Sequence, residues 1–252
     1  MVERDQLTRY CSEFLAVSAQ HDYCPNGLHV AGKSQIKKIV SGVTASQALI
    51  AAAVAANADA LLVHHGYFWK GEDPCIVGSK YRRIASLMAA DMNLYAYHLP
   101  LDVHPELGNN AQLAQQLGFA YGDAIGPDTN PELVRHAVLP KADDIDHFAA
   151  HVGVILNRQP LLIKGHDRPI LSVAWCTGGA QDYIELAAAA GADVYISGEV
   201  SERTFHAAKE LGIHYLAAGH HATERYGIQA LANHLAKQFR LDHEFIDIEN
   251  PV

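Results

Sequence analysis

Residues 36–65 align without a gap on residues 170–199, and this internal repeat restricts the fold more than any other feature of the chain. Ile36-Lys-Lys-Ile-Val-Ser-Gly-Val43 reads as a strand, and Thr44-Ala-Ser46 is a capping entry to the Ala-rich helix that follows. Residues 57–59 end that helix, and residues 60–63 form a short buried strand, completing one βαβ unit. The second copy keeps the same order: Gln47 pairs with Gln181, Ala58 and Asp59 pair with Ala192 and Asp193, and His65 pairs with Glu199. Farther on, Leu94-Tyr-Ala-Tyr-His98 aligns on Leu216-Ala-Ala-Gly-His220, which sets Asp102 opposite Glu224. The offset changes because the first copy carries extra residues in a Gly- and Pro-containing loop, 67–80. Ala-rich βα units resemble one another by composition alone, but composition does not align His-x-x-x-Asp with His-x-x-x-Glu. The reading is an α/β protein made of two similar halves from an internal duplication, with mixed sheets flanked by helices. The halves are expected at residues 1–126 and 127–252, and the turn-rich stretch Gly126-Pro-Asp-Thr-Asn-Pro131 marks the boundary.

The remaining segments fit this scheme. Leu7, Tyr10, Cys11, Phe14 and Leu15 fall at helical spacing, and a polar turn follows at 23–27. Residues 133–139 look like a strand, and Asp143 and Asp144 open a helix that runs through His147, Phe148 and Val152 to Ile155. The chain closes with a helix from about residue 224 to 239 and an alternating strand at 244–248.

A chain of 252 residues holds one large or two small domains. Its net charge of -9, without a run of Lys or Arg, argues against gripping nucleic acid by bulk electrostatics. The most apolar stretch, residues 48–63, is interrupted by Asn57 and Asp59 and is too short to span a bilayer. The N-terminus has helical spacing rather than a signal-peptide block. Cys11, Cys24, Cys75 and Cys176 show no C-x-x-C spacing, which fits reduced thiols. A cytoplasmic protein is therefore expected, with no membrane partner.

The unusual number is the 16 histidines. His64 and His65 come at a strand end, His98 and Asp102 share the i, i+4 spacing of one helix face, and so do His220 and Glu224. Imidazole and carboxylate without thiolate suit zinc, iron or manganese in a hydrolytic site. Two divalent ions about 3.5 to 4 Å apart need a bridging carboxylate, and they lower the pKa of bound water to about 7. The expected ligands are His64, His65, Asp102, His220 and Glu224, with Glu224 as the bridge and the site between the halves. His98 is a ligand or a support for one, or it packs beside Pro100. Glu199, in the position matching His65, is a candidate general base or supporting carboxylate; the alternative is a helix-start carboxylate favoured by the dipole. His104, His206, His214 and His221 are expected in structural or supporting roles.

The motifs Pro25-Asn-Gly-Leu28, Gly42-Val-Thr44, Val63-His-His-Gly66, His98-Leu-Pro-Leu-Asp102, Gly108-Asn-Asn110, Thr177-Gly-Gly179, Ser197-Gly-Glu199 and Gly219-His-His-Ala-Thr-Glu224 cover nearly the whole chain. In these the sequence resembles the GTP cyclohydrolase I type 2 homologues, the NIF-three-like proteins. The resemblance implies a duplicated α/β fold, a dinuclear metal centre and a ring-shaped homohexamer. Carried onto matching positions, it gives the same ligands, His64, His65, Asp102, His220 and Glu224. The inserted middle domain of some longer members is missing, so any role of that insert does not transfer.

These features support a metal-dependent hydrolase acting on a purine nucleotide or related heterocycle, with Glu199 or a free histidine moving the proton. GTP ring opening is the named instance. A two-metal phosphoesterase is the enzymatic alternative. The competing class is a non-enzymatic metal-binding protein that handles iron or regulates a partner. Trp69 and Lys70 are placed either to stack on a base and pair with phosphate or, with Phe68, in a core or subunit contact. Asn109 and Asn110 either bind ligand or cap the helix after Gly108.

Overall fold

The computed structural model describes residues 1–126 and 132–252. The expected boundary turn therefore lies, beyond Gly126, outside the described residues. Packing divides the chain into two compact units, Met1–Gly108 with Gly227–Glu249 and Asn109–Tyr226 with Asn250–Val252. These divisions fall at different residues from the expected 126/127 boundary. Residues 227–249 join the first unit because a strand near the C-terminal end of the chain pairs back into its sheet.

The first unit contains β1 (Val2–Glu3), α1 (Arg4–Phe14), β2 (Gly27–Val30), β3 (Gln35–Ile36), β4 (Lys38–Thr44), α2 (Gln47–Ala55), β5 (Ala60–His65), α3 (Gly78–Ala89), β6 (Asn93–Ala96) and α4 (Leu99–Asp102). The second contains α5 (Asn109–Leu117), β7 (Asp123–Ala124), β8 (Arg135–Asp143), α6 (Ile145–Leu156), β9 (Leu161–Ile163), β10 (Ile170–Trp175), α7 (Ile184–Ala189), β11 (Val194–Ser197), α8 (Glu202–Leu211) and β12 (His214–Ala217). Helix α9 (His220–Phe239) starts in the second unit and continues in the first, where β13 (Asp242–Phe245) follows.

The first unit's sheet has the order β13-β4-β5-β6-β2. Its strands are parallel except β2, which runs antiparallel to β6. Alternation sends Ala60 and Leu62 of β5 to the side of Leu7, Cys11, Leu231 and Leu235, and Leu61 and Val63 to the side of Leu49, Ile50, Ile84 and Leu87. Both faces are covered by helices, which is why these strands read as continuous apolar runs. Ser46 caps α2 by accepting from Leu49 N at 3.2 Å, as its place before the Ala-rich run predicts.

The second unit's sheet has the order β7-β8-β10-β11-β12-β9. Strands β10, β11 and β12 are parallel, and β9 runs antiparallel to β12. A parallel trio with an antiparallel neighbour on its third strand thus occurs in both units. Val173, Trp175, Val194 and Ile196 pack with Phe148 and Val152, while Ala174, Tyr195 and Tyr215 pack with Ile184, Ala187 and Ala208.

One matched pair of the sequence repeat has the same structural task in each unit. Asp59 Oδ2 accepts from Lys37 N at 2.8 Å and Lys38 N at 3.1 Å. Asp193 Oδ2 accepts from Leu171 N at 2.9 Å and Ser172 N at 3.0 Å. Each carboxylate ties the start of the middle strand to the start of the strand before it.

Element ends moved by a few residues. The strand expected at 36–43 splits into β3 and β4, that at 244–248 is β13 at Asp242–Phe245, and α9 already begins at His220. Gly27, read as the end of a polar turn, opens β2. Among the described residues no helix is long and apolar enough to cross a membrane.

Candidate metal centre

In the first unit, parallel pairing of β5 between β4 and β6 carries His64 and His65 to the carboxyl end of the sheet. Open α/β sheets bind their ligands at that end. His64 is fully buried, and its Nδ1 lies 2.9 Å from Tyr97 O. A carbonyl only accepts, so Nδ1 carries a proton and Nε2 is the nitrogen left to face a metal. Nε2 lies 3.5 Å from Asp102 Oδ1. Backbone carbonyls and carboxylates hold metal-binding imidazoles in this way.

His65 Nδ1 lies 3.1 Å from Thr44 Oγ1, and its ring centroid is 4.5 Å from that of His64. The strand end therefore does not splay the two rings apart, as adjacent residues of an extended strand would be. Donor atoms of His64, His65 and His98 all fall within 4.8 Å of one another. Asp102 is only 5% exposed and closes the short helix α4, which Pro100 helps to start. Asp102 thus places a buried carboxylate beside the imidazoles, a mixed nitrogen and oxygen donor set that suits a divalent cation.

One neighbour of this cluster had escaped the sequence reading. Asp22, just before the stretch read as a polar turn, has a side chain 4% exposed that lies 3.0 Å from His98 Nδ1. Burial works to raise its pKa, but the hydrogen bond and charge of His98, with help from Asn26 and Leu99 N, bring it down to about 2. Its only sequence signal is proximity to the Pro25-Asn-Gly-Leu28 motif. Beside it, the Trp69 ring meets His98 edge to face at 5.0 Å, and Lys70 is exposed with its N–H bonded to Tyr23 O at 2.8 Å.

In the second unit, His220 and Glu224 stand one turn apart at the start of α9, with His220 Nε2 3.1 Å from Glu224 Oε2. Glu199 Oε1 lies 2.7 Å from His220 Nδ1. Burial lowers the pKa of His220, but the hydrogen bond and charge of Glu224, joined by Glu199, outweigh it and raise the value to about 9. The imidazolium supplies the positive charge that the buried Glu224, 3% exposed, requires. Glu199 is thus within hydrogen-bond reach of the His220 ring.

Gly178, to which the sequence assigned no chemistry, makes room for these side chains. Its φ is +70°, and a Cβ there would come within 3.0 Å of Glu224 Cδ and 3.1 Å of His220 Nε2. Its N–H donates to Thr223 Oγ1 at 3.1 Å, and its carbonyl accepts from Ser197 Oγ at 3.0 Å. Asn110 holds the same turn: Thr177 N donates to its Oδ1 at 3.1 Å, and its Nδ2 donates to Leu133 O. Among the remaining histidines, His104 stacks on Phe14 and His206 pairs with Glu202 on the surface of α8. His214 is fully buried in the core and touches His166.

Comparison with known proteins then identifies the chain. The profile of the family described as Duf34/NIF3 (NGG1p interacting factor 3) matches residues 2–251. The chain belongs to the DUF34/NIF3 family. Among its relatives, a protein of Pseudomonas aeruginosa named GTP cyclohydrolase 1 type 2 homolog is 55% identical over 245 residues, 97% of each chain. A Vibrio cholerae protein of the same name is 55% identical over 250 residues, 98% of each chain. The solved structure of protein ybgI, described as of unknown function, superposes with a TM-score of 0.93 at 49% identity over the full length of both chains. The DUF34/NIF3 membership agrees with the resemblance drawn from the motifs. Residues able to hold a metal ion are present in this member, with nitrogen and oxygen donors of the kind that suits a divalent cation.

Proposed function

We propose that this chain is a metal-dependent hydrolase acting on a purine nucleotide or related heterocycle, with His64, His65, Asp102, His220 and Glu224 as the ligands of two divalent ions. The observation that carries the reading is His64: Tyr97 O fixes its Nδ1 proton, and Nε2 is turned toward the buried Asp102. When bound, such ions supply Lewis acidity and a water acidic enough to attack near neutral pH.

The chain's own residues have separable tasks. Asp102 and Glu224 provide negative charge in buried surroundings, with Glu224 assigned the bridging position. Glu199 holds His220 by its Nδ1. Trp69 and Tyr23 meet the His98 ring edge to face and hold its orientation. The name shared by the Pseudomonas and Vibrio relatives supports GTP as the first substrate to try. Zinc, iron and manganese all fit the donor set. The resemblance adds a homohexameric ring, for which light scattering is the direct measurement.

The deciding experiment incubates protein loaded with each metal in turn with GTP and with simple phosphoesters. Release of formate is the expected result, and release of phosphate would replace ring hydrolysis by phosphoester cleavage. Tightly held metal without turnover of either substrate would leave the protein a metal carrier or regulator.

A further inference from the structure

We infer that Asp22 is the positioning residue that fixes His98 as the Nδ1–H tautomer and so presents its Nε2 as a third imidazole donor beside His64 and His65. The inference rests on the metal-centre reading and adds to it a residue outside the ligand set.

Asp22 is placed for this by an unusually full set of hydrogen bonds. Oδ1 accepts from Tyr23 N at 2.7 Å and Cys24 N at 3.3 Å, and Oδ2 accepts from Asn26 Nδ2 at 2.9 Å and Leu99 N at 2.9 Å. His98 Nδ1 lies 3.0 Å from Oδ1 and 3.2 Å from Oδ2. The same loop holds the backbone of His98, whose N–H donates to Asn26 Oδ1 at 2.7 Å. Tyr23 at 5.1 Å and Trp69 at 5.0 Å meet the His98 ring edge to face, so the imidazole is fixed in rotation as well as in tautomer.

A carboxylate only accepts, so the proton between Asp22 and His98 sits on Nδ1, which leaves Nε2 as the ring nitrogen turned to a metal. Asp22, Cys24 and His98 also lie close enough to hold an ion by themselves. That alternative fails on lone pairs: a carboxylate offers about four acceptor sites, and those of Asp22 are committed to the N–H groups named above. The Cys24 thiol also points at Oδ1, from 3.6 Å. Asp22 is therefore spent on orienting His98, as carboxylates behind metal-bound imidazoles generally are.

The test combines zinc affinity, by competition with a chromophoric chelator, with the visible spectrum of the Co(II)-loaded protein. Asp22→Asn should weaken zinc binding about 10- to 100-fold and change the Co(II) bands. In a His98→Ala background the same substitution should cost nothing further, because the effect passes through that ring. Unchanged affinity and spectrum in Asp22→Asn would overturn the inference, and so would an equal loss in both backgrounds. A measurement that needs no variant is the tautomer of His98 in metal-free wild-type protein by long-range 15N NMR. Nδ1–H is expected, and Nε2–H would refute the assignment. Wild-type protein that takes up no zinc overturns the metal-centre reading itself, whichever tautomer His98 shows.

Discussion

At the scale of single residues, the site depends on where each proton sits and how much room each ligand has. Glu224 is buried and assigned to both ions, so Glu224→Ala should leave neither bound after dialysis, whereas His221→Ala should keep the wild-type content. Supporting residues alone cost 10- to 100-fold in affinity, so loss of a ligand should exceed that; metal analysis by mass spectrometry reads the result. Gly178→Ala tests the available room. The positive φ costs an alanine roughly 1–2 kcal/mol, and the added methyl would press on Glu224 and His220. Zinc affinity should fall in this variant, and an unchanged affinity would mean that Glu224 can shift without leaving its ion. His64, His65, Asp102, His220 and Glu224 could all be selected from their spacing, because i, i+4 and adjacent pairs are local facts. Asp22 could not, since its partner His98 lies 76 positions away and a lone Asp in a turn has many plainer uses.

At the scale of elements, the repeat predicted that β4-α2-β5 and β10-α7-β11 would be built alike, and the matching aspartates carry that likeness into hydrogen bonds. Asp59→Ala and Asp193→Ala should each destabilise the protein by about 2 kcal/mol, since each strips two strand-end N–H groups of their acceptor. Urea unfolding of the two variants measures this, and a loss at one position only would break the parallel between the units. Strands β4, β5, β10 and β11 were readable because a strand buried on both faces is apolar throughout. Strand β2 was not, because Cys24-Pro-Asn-Gly27 has the composition of a turn, and only pairing with β6 makes its continuation a strand. The short α4 was legible only in the i, i+4 spacing of His98 and Asp102, and the structure places Pro100 in its first turn, where proline is favoured.

At the scale of the whole molecule, acid stability follows from a buried histidine away from the metal residues. His214 is fully buried, its Nδ1 accepts from Gly165 N at 3.2 Å, and burial, with His166 beside it, lowers its pKa to about 4. Lys164 opposes the charge further and Asp193 favours it. The folded value lies below the unfolded one, near 6.5, so the unfolded chain binds more protons between pH 6.5 and about 4. The neutral ring's contribution is complete above pH 6.5 and is lost progressively as the pH falls toward 4. Between pH 7 and pH 5 the loss should be on the order of 1–2 kcal/mol, and His214→Gln should flatten that part of the urea-midpoint profile. The apolar runs, the helix caps and the donor motifs were set by the sequence itself, because periodicity and ligand chemistry act over a few neighbouring residues. Tertiary structure alone decided that the last strand returns to the first sheet, that Asp22 stands behind His98 and that Gly178 clears space for Glu224. Those outcomes depend on which distant backbone groups packing brings within hydrogen-bond reach, and no local pattern encodes that distance.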